Sequence, residues 1–364
     1  MTTLFEPLRL RETDLPNRVM VSPMCQYSCE DRDGVATEWH RVHLGSRAVG
    51  GAGVVMTEAT AVEPQGRISP EDLGIWTDEQ AEALAPIAEF ISGQGSVPAV
   101  QLAHAGRKAS TSRPWEGHDP LAPDEGGWDV VGPTDTPWPY EDGEAPETER
   151  LDQAGIERVV DAFRAAARRA YEAGFEVAEV HGAHGYLLHE FLSPVTNRRE
   201  DDYGGDFEGR SRLIREVTAA VREAWPEDKP VFVRISATDC LEGDSWTVED
   251  SARLADRLGE AGADLVDVSS GGIVPDSYPG YTGPNYQLRW AERVREDSDV
   301  AVGTVGGITT PEQAEAVVAN GRADLAIVGR EHLRDPYFTL NAARELDATD
   351  EVSGPPQYYR GMGF

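Results

Sequence analysis

At 364 residues the chain exceeds the usual length of one domain, yet α/β barrels commonly run this long as a single unit. Acidic residues outnumber basic ones 65 to 33, a formal charge of −32, and only Lys108 and Lys229 among the basic residues are lysine. That balance repels nucleic acid and anionic membranes. The acids are dispersed rather than gathered in a tail, as in a protein kept soluble by its surface in a salt-rich cytoplasm. Cys25, Cys29 and Cys240 form no CxxC pair, which argues against a disulfide framework and a structural zinc or iron–sulfur site. The first residues, MTTLFEPLRLRETDLPNR, contain no signal-length apolar run, and no apolar stretch is long enough to span a membrane. A soluble, cytoplasmic protein is expected.

Residues 1–17 read as a short hairpin or plug. Eight apolar runs then predict strands at 18–22, 53–59, 97–102, 175–181, 231–235, 265–269, 300–305 and 325–328. Between most of them lie helical patterns, at 77–92, 153–173, 208–224, 248–261, 311–320 and 336–346. Thr310-Pro311 and Asp335-Pro336 mark helix starts, and Gly174, Gly262 and Gly321 mark helix ends. Strand and helix alternating eight times predict a parallel sheet closed into a single (β/α)8 TIM barrel over residues 1–364. A doubly wound open sheet is the alternative, but no GxGxxG follows the first strand. The stretch 103–150 is rich in Gly, Pro, acids and Trp (Trp115, Trp128, Trp138), and its place after strand three makes it a lid-like insertion.

In a barrel the carboxyl ends of the strands carry the chemistry. The fourth run ends in His181-Gly-Ala-His184-Gly-Tyr186. Two imidazoles at this spacing can donate to one oxygen, with Tyr186 as a proton source, or hold a metal with His189 as a third ligand. No Asp follows strand eight, where Gly329-Arg330 stands instead. Gly306-Gly307 and Gly329 with Arg330, after strands seven and eight, match the usual barrel phosphate site. Gln101 and Arg234 project from strands three and five, where Gln suits an imide edge and an inward Arg needs a partner. A flat ligand or an internal carboxylate such as Glu58 would supply that partner. Cys25 ends the first strand and is either a small core filler or a thiol beside a redox group. Lys108 is a lysine kept where the chain otherwise uses Arg.

The segments SPMCQYS, EATAV, QLAHAGRKA, HGAHGYLLHEFLSP with NRREDDYGG, VRIS, VGGI and VGRE resemble the old yellow enzyme family. The likeness is closer to its thermophilic-like, Cys-containing class of ene-reductases. It runs from about residue 4 to the end of the chain, through every expected strand in order. It implies tightly bound FMN, reduced by NADPH or NADH, and reduction of the activated C=C bond of enones or enals. Matching positions imply that Ser22, Pro23, Met24, Cys25, Ala59, Gln101 and Arg234 line the flavin. Gly306, Gly307, Gly329 and Arg330 would hold its phosphate, and no metal is implied. His181 and His184 would grip the substrate carbonyl, Tyr27 would shape that site, and Tyr186 would deliver the proton. Cys25 would tune the flavin. The closing segment 350–364 resembles one whose Arg, here Arg360, enters a neighbouring subunit's site, implying a homodimer or homotetramer. Met362 stands where that family usually has an aromatic residue. Nitro compounds or quinones are alternative electrophiles for the same flavin, and a metal-dependent barrel hydrolase is the alternative outside it.

Overall fold

The eight apolar runs close into a barrel of parallel strands. The computed structural model describes residues 3–141, 144–352 and 354–362. The strands are β1 (Val19–Val21), β2 (Val54–Ala61), β3 (Val97–Ala103), β4 (Val177–Gly182), β5 (Val231–Ser236), β6 (Leu265–Ser269), β7 (Ala301–Val305) and β8 (Leu325–Val328). Each pairs with its neighbours in chain order, and β8 closes on β1. Seven of the eight strands carry unbroken runs of buried residues or nearly so, because a closed parallel sheet is covered on both faces. β1, with three residues, is shorter than its predicted run.

Eight helices wrap the sheet: α1 (Glu38–Val49), α2 (Asp78–Gly93), α3 (Gln153–Glu172), α4 (Arg212–Ala224), α5 (Val248–Glu260), α6 (Leu288–Glu296), α7 (Pro311–Ala319) and α8 (Phe338–Glu345). The sequence pattern named six of them; α1 and α6 are additions. The expected helix at 208–224 divides at Ser211, with a short turn at Phe207–Arg210 before α4. Polar side chains fix the starts. Thr77 and Gln80 form a reciprocal capping box on α2, Asp152 caps α3, and Thr310 caps α7 ahead of Pro311.

The plug is a hairpin, Leu8–Leu10 against Thr13–Leu15. Its Leu15 joins Met20, Met56, Val97, Phe232 and Ile327 in an apolar layer that fills the barrel floor. At the opposite end, the segment after β3 forms three short 3-10 turns and a two-stranded pair, Val130–Gly132 with Thr148–Arg150. Val130 and Trp128 pack against Tyr27, Ala105 and Tyr186 at the mouth, whereas Trp115 is 64% exposed. Of the three tryptophans of this segment, Trp128 thus joins the mouth cluster. Among the described residues no helix is long and apolar enough to cross a membrane.

Candidate active site

Inside the barrel, apolar layers give way to polar ones toward the mouth. The strand register sets Gln101 opposite Glu179, His181 opposite Arg234, and Arg234 opposite Asp267. Gln101 donates from Nε2 to Glu179 Oε1 at 2.8 Å. The Arg234 guanidinium has its Nε 3.4 Å from Asp267 Oδ2 and donates from Nη1 to Ser22 Oγ at 3.2 Å. The internal carboxylate facing Arg234 is thus Asp267, on the next strand. Glu58 is spoken for elsewhere: it lies 3.2 Å from His40 Nε2 and accepts the Gln26 N–H at 2.7 Å. Burial pushes the carboxyls of both Glu179 and Asp267 up, and the Arg234 charge pulls both back down.

The His181–Tyr186 turn follows β4. The two imidazole centroids are 5.3 Å apart at 78°, and the Tyr186 ring stands 5.1 Å from His181 at 73°. Three loops hold this turn. The His184 N–H donates to Ser236 Oγ at 2.9 Å, and His184 Nε2 meets Ser269 Oγ at 2.7 Å. Lys108 Nζ donates to the carbonyls of His184 (2.8 Å) and Gly272 (3.2 Å), and lies 5.0 Å over Tyr186 and 4.4 Å over Trp138. His181 Nδ1 is buried and has no hydrogen-bond partner among the described residues. Burial, then the Arg234 charge, lowers both imidazoles well below the usual histidine range, so both are neutral at neutral pH. Burial raises the Tyr186 phenol above its ordinary value and lowers the Lys108 ammonium to about 7.

The loop after β1 supplies the facing wall. Cys25, Tyr27 and Tyr186 share one apolar cluster with Ile68 and Ala105. The Cys25 thiol sits by the Tyr27 hydroxyl and the Ala59 backbone, and burial pushes it well above the usual thiol range. Ala59 lies where a register shift breaks the β2–β3 ladder between Met56 and Ala59. Tyr27 holds a left-handed φ of +51°, and Pro23 and Met24 are half-buried beside it.

A cavity of about 480 Å³ runs from Met24, His184, Arg234 and Ser269 to Gly306, Gly307, Gly329 and Arg330. At Gly307 (φ +71°) a Cβ would come within 2.2 Å of the Gly283 carbonyl oxygen, so only glycine lets these two loops meet. At Gly329 a Cβ would make only ordinary contact, 3.6 Å from the Ser22 Cβ, and Arg330 is exposed beside it. Two glycine turns and a guanidinium suit a phosphate. The other end suits a flat ring with hydrogen-bonding edges.

Among the predicted residues, the structure brings together all except Arg360. That residue lines a separate hollow with Tyr337, Leu340, Arg344 and Tyr358 on α8 and the closing segment. The Met362 side chain lies outside the described residues. His189, weighed as a third metal ligand, turns away: its Nε2 is 3.0 Å from Asp239 Oδ1. Among the described residues no three His, Cys, Asp or Glu side chains gather as a metal set. Residues the sequence reading left without roles are Glu179, Ser236, Asp267, Ser269, Tyr286 and Gln287. Acids inside otherwise apolar strands were the available signal for Glu179 and Asp267. Tyr286 and Gln287 sit in an irregular stretch with no such signal.

Fold and site together define a (β/α)8 barrel protein whose mouth takes a planar, phosphorylated organic ligand. Residues 3–349 match the NADH:flavin oxidoreductase / NADH oxidase family. An NADPH dehydrogenase of Geobacillus sp. (strain WCH70) is 45% identical over 363 residues, covering 100% of this chain and 99% of the relative. An NADPH dehydrogenase of Bacillus pumilus (strain SAFR-032) is 46% identical over 359 residues, 99% of each. Among solved structures, morphinone reductase aligns with a TM-score of 0.77 at 28% identity, over 98% of this chain and 92% of that one. An old yellow enzyme homologue from Zymomonas mobilis gives 0.77 at 26% identity over 99% of each. The chain belongs to the FMN-dependent NADH:flavin oxidoreductase / NADH oxidase family, which the motifs resembling old yellow enzyme had indicated. It is an NAD(P)H-dependent flavin oxidoreductase.

Proposed function

We propose that this oxidoreductase is an ene-reductase of the Cys-containing class, reducing the activated C=C bond of α,β-unsaturated carbonyl compounds. The observation that carries the reading is the convergence of two neutral imidazoles and a neutral phenol at the barrel mouth, with His181 Nδ1 unpartnered among the described residues. Ser22, Pro23, Met24, Cys25, Ala59, Gln101 and Arg234 would border the flavin ring, and Gly306, Gly307, Gly329 and Arg330 would hold the phosphate. FMN, when bound, supplies a hydride taken from NADPH or NADH.

His181 and His184 steady the substrate's carbonyl oxygen. Because both are neutral, each offers one N–H and no net charge. Negative charge gathers on that oxygen as the β-carbon is reduced, and fixed N–H donors stabilise it. Ser269 Oγ stands 2.7 Å from His184 Nε2 and anchors that side of the ring, leaving Nδ1 as its other hydrogen-bonding atom. Tyr186 gives its phenolic proton to the α-carbon, and burial keeps that proton in place until it is needed. Tyr27 shapes the opposite wall, and the raised Cys25 thiol meets the flavin as a neutral group. The 103–150 segment acts as a lid, a reading supported by Trp138 over Lys108 and Trp128 in the mouth cluster. Arg360 reaches a neighbour's mouth in a homodimer or homotetramer, a reading supported by its place in a hollow that shares no lining residue with this chain's own site.

The test is a visible spectrum in high salt, then anaerobic NADPH, then cyclohexenone. Yellow absorbance bleached by NADPH and restored by the enone is expected. Bleaching without restoration overturns the enone reading while leaving a flavin reductase. His181→Ala should retain FMN and lose affinity for carbonyl ligands.

A further inference from the structure

The His181–Tyr186 turn contains two consecutive residues in the left-handed region, His184 (φ +61°) and Gly185 (φ +73°). A non-glycine residue there is disfavoured, so the surroundings must hold it. Ser236 and Lys108 bind the His184 backbone, as described above. The Gly185 N–H has a different partner: it donates to Nδ1 of His189 at 2.9 Å. His189 belongs to the short helix Leu187–Leu192, which leads directly out of the turn.

That bond fixes the histidine's tautomer. A ring nitrogen that accepts a hydrogen bond carries no proton, so the proton resides on Nε2. His189 Nε2 lies 3.0 Å from Asp239 Oδ1, off the line of the ring N–H, and neither atom has a hydrogen-bond partner elsewhere among the described residues. The other Asp239 oxygen accepts from Ser193 Oγ at 2.7 Å and from the Trp246 N–H at 2.8 Å. Both His189 and Asp239 are fully buried. Asp239 thus sets the loop after β5 against one edge of the ring, while the other edge accepts from the peptide between His184 and Tyr186.

We propose that the Asp239–His189 pair is a positioning device for the reduction site, holding the Gly185 N–H and thereby the spacing between His184 and Tyr186. It rests on the ene-reductase reading of that turn. Neither residue touches the mouth cavity. Their role is to present an acceptor at one fixed point, with the Asp239 carboxyl standing against the opposite ring nitrogen.

Two substitutions separate this role from simple packing. In His189→Asn the amide oxygen takes the place of Nδ1 and can still accept from Gly185, while the reach to Asp239 is lost. In His189→Gln an N–H can still reach Asp239, while the acceptor near Gly185 is lost. Each is compared with wild type in the two half-reactions, NADPH reducing the flavin and cyclohexenone reoxidising it. The expected result is that His189→Asn reoxidises with enone within a few-fold of wild type. His189→Gln should lose roughly tenfold to a hundredfold in that half-reaction while its NADPH step is unchanged. Equal enone rates in the two variants, or loss of both half-reactions together, overturns the proposal. A wild-type enzyme that NADPH bleaches and enone never reoxidises would instead overturn the ene-reductase reading. A readout free of folding risk is the 15N spectrum of histidine-labelled wild type. It should show a buried ring in the Nε2–H tautomer with Nδ1 as acceptor, and an Nδ1–H His189 would refute the assignment.

Discussion

Replacing Gly185 by alanine tests how tightly the turn is built. The added Cβ would lie 2.0 Å from the Gly272 carbonyl oxygen and 2.8 Å from its carbon, both backbone atoms with no rotamer to escape into. An ordinary carbon–oxygen contact is about 3.3 Å, so the two loops must separate by roughly 1.3 Å. Lys108 now bridges them, donating to the His184 and Gly272 carbonyls at 2.8 and 3.2 Å, and one of those bonds must break. A left-handed φ on a residue with a Cβ costs about 1–2 kcal/mol, and overpacking about 1–3 kcal/mol more, giving a destabilisation of about 2–5 kcal/mol. A displacement of about 1 Å at reacting groups is worth about a hundredfold in rate, or ~2.7 kcal/mol. The assays are denaturant unfolding at fixed high salt and stopped-flow reoxidation of the reduced enzyme by cyclohexenone. An unfolding midpoint equal to wild type with a reoxidation rate within about threefold would refute the argument.

Three other outcomes are expected. Arg330→Ala removes a guanidinium beside the glycine turns, and FMN affinity should fall about ten- to a hundredfold, as loss of charge-assisted hydrogen bonds does; fluorescence titration of apoprotein with FMN measures it. Burial lowers the Lys108 ammonium from 10.5 to about 7 in the folded state, so between those values the unfolded chain holds a proton that the native state does not. Native stability should therefore rise with pH through that window, and Lys108→Met should flatten this part of a stability–pH curve measured by unfolding. With a formal charge of −32, the chain should lose stability as salt is withdrawn, seen as a falling melting temperature at fixed pH; an unchanged melting temperature in low salt would contradict salt adaptation.

The barrel was legible because β-branched runs buried on both faces keep their signature in any context, and all eight appear in order. Helix α1 was harder to see. Its cap is Thr37 with His40, whose Nδ1 accepts the Thr37 N–H at 2.9 Å, where a Glu or Gln would have signalled a start. Trp39 and Val42 also lie exposed on that helix and blur its apolar period. Helix α6 follows the long irregular stretch after Ser269, which offers no frame for its phase. In the site, the strand-end motifs stood out because each is continuous in sequence. The polar ring inside the barrel is continuous only across strands. Gln101 meets Glu179, and Arg234 meets Asp267, through a register that no single segment encodes. That is why Glu58 was weighed as the carboxylate for Arg234, where the register supplies Asp267 from the next strand.

The hairpin at the barrel floor has a bearing on traffic. With Leu15 and its neighbours packed solid below, the barrel is a well with one opening, not a corridor. Electron donor and electron acceptor must both come and go through that opening. The His181–Tyr186 turn, the loop after β1 and the 103–150 segment therefore border one approach shared by both.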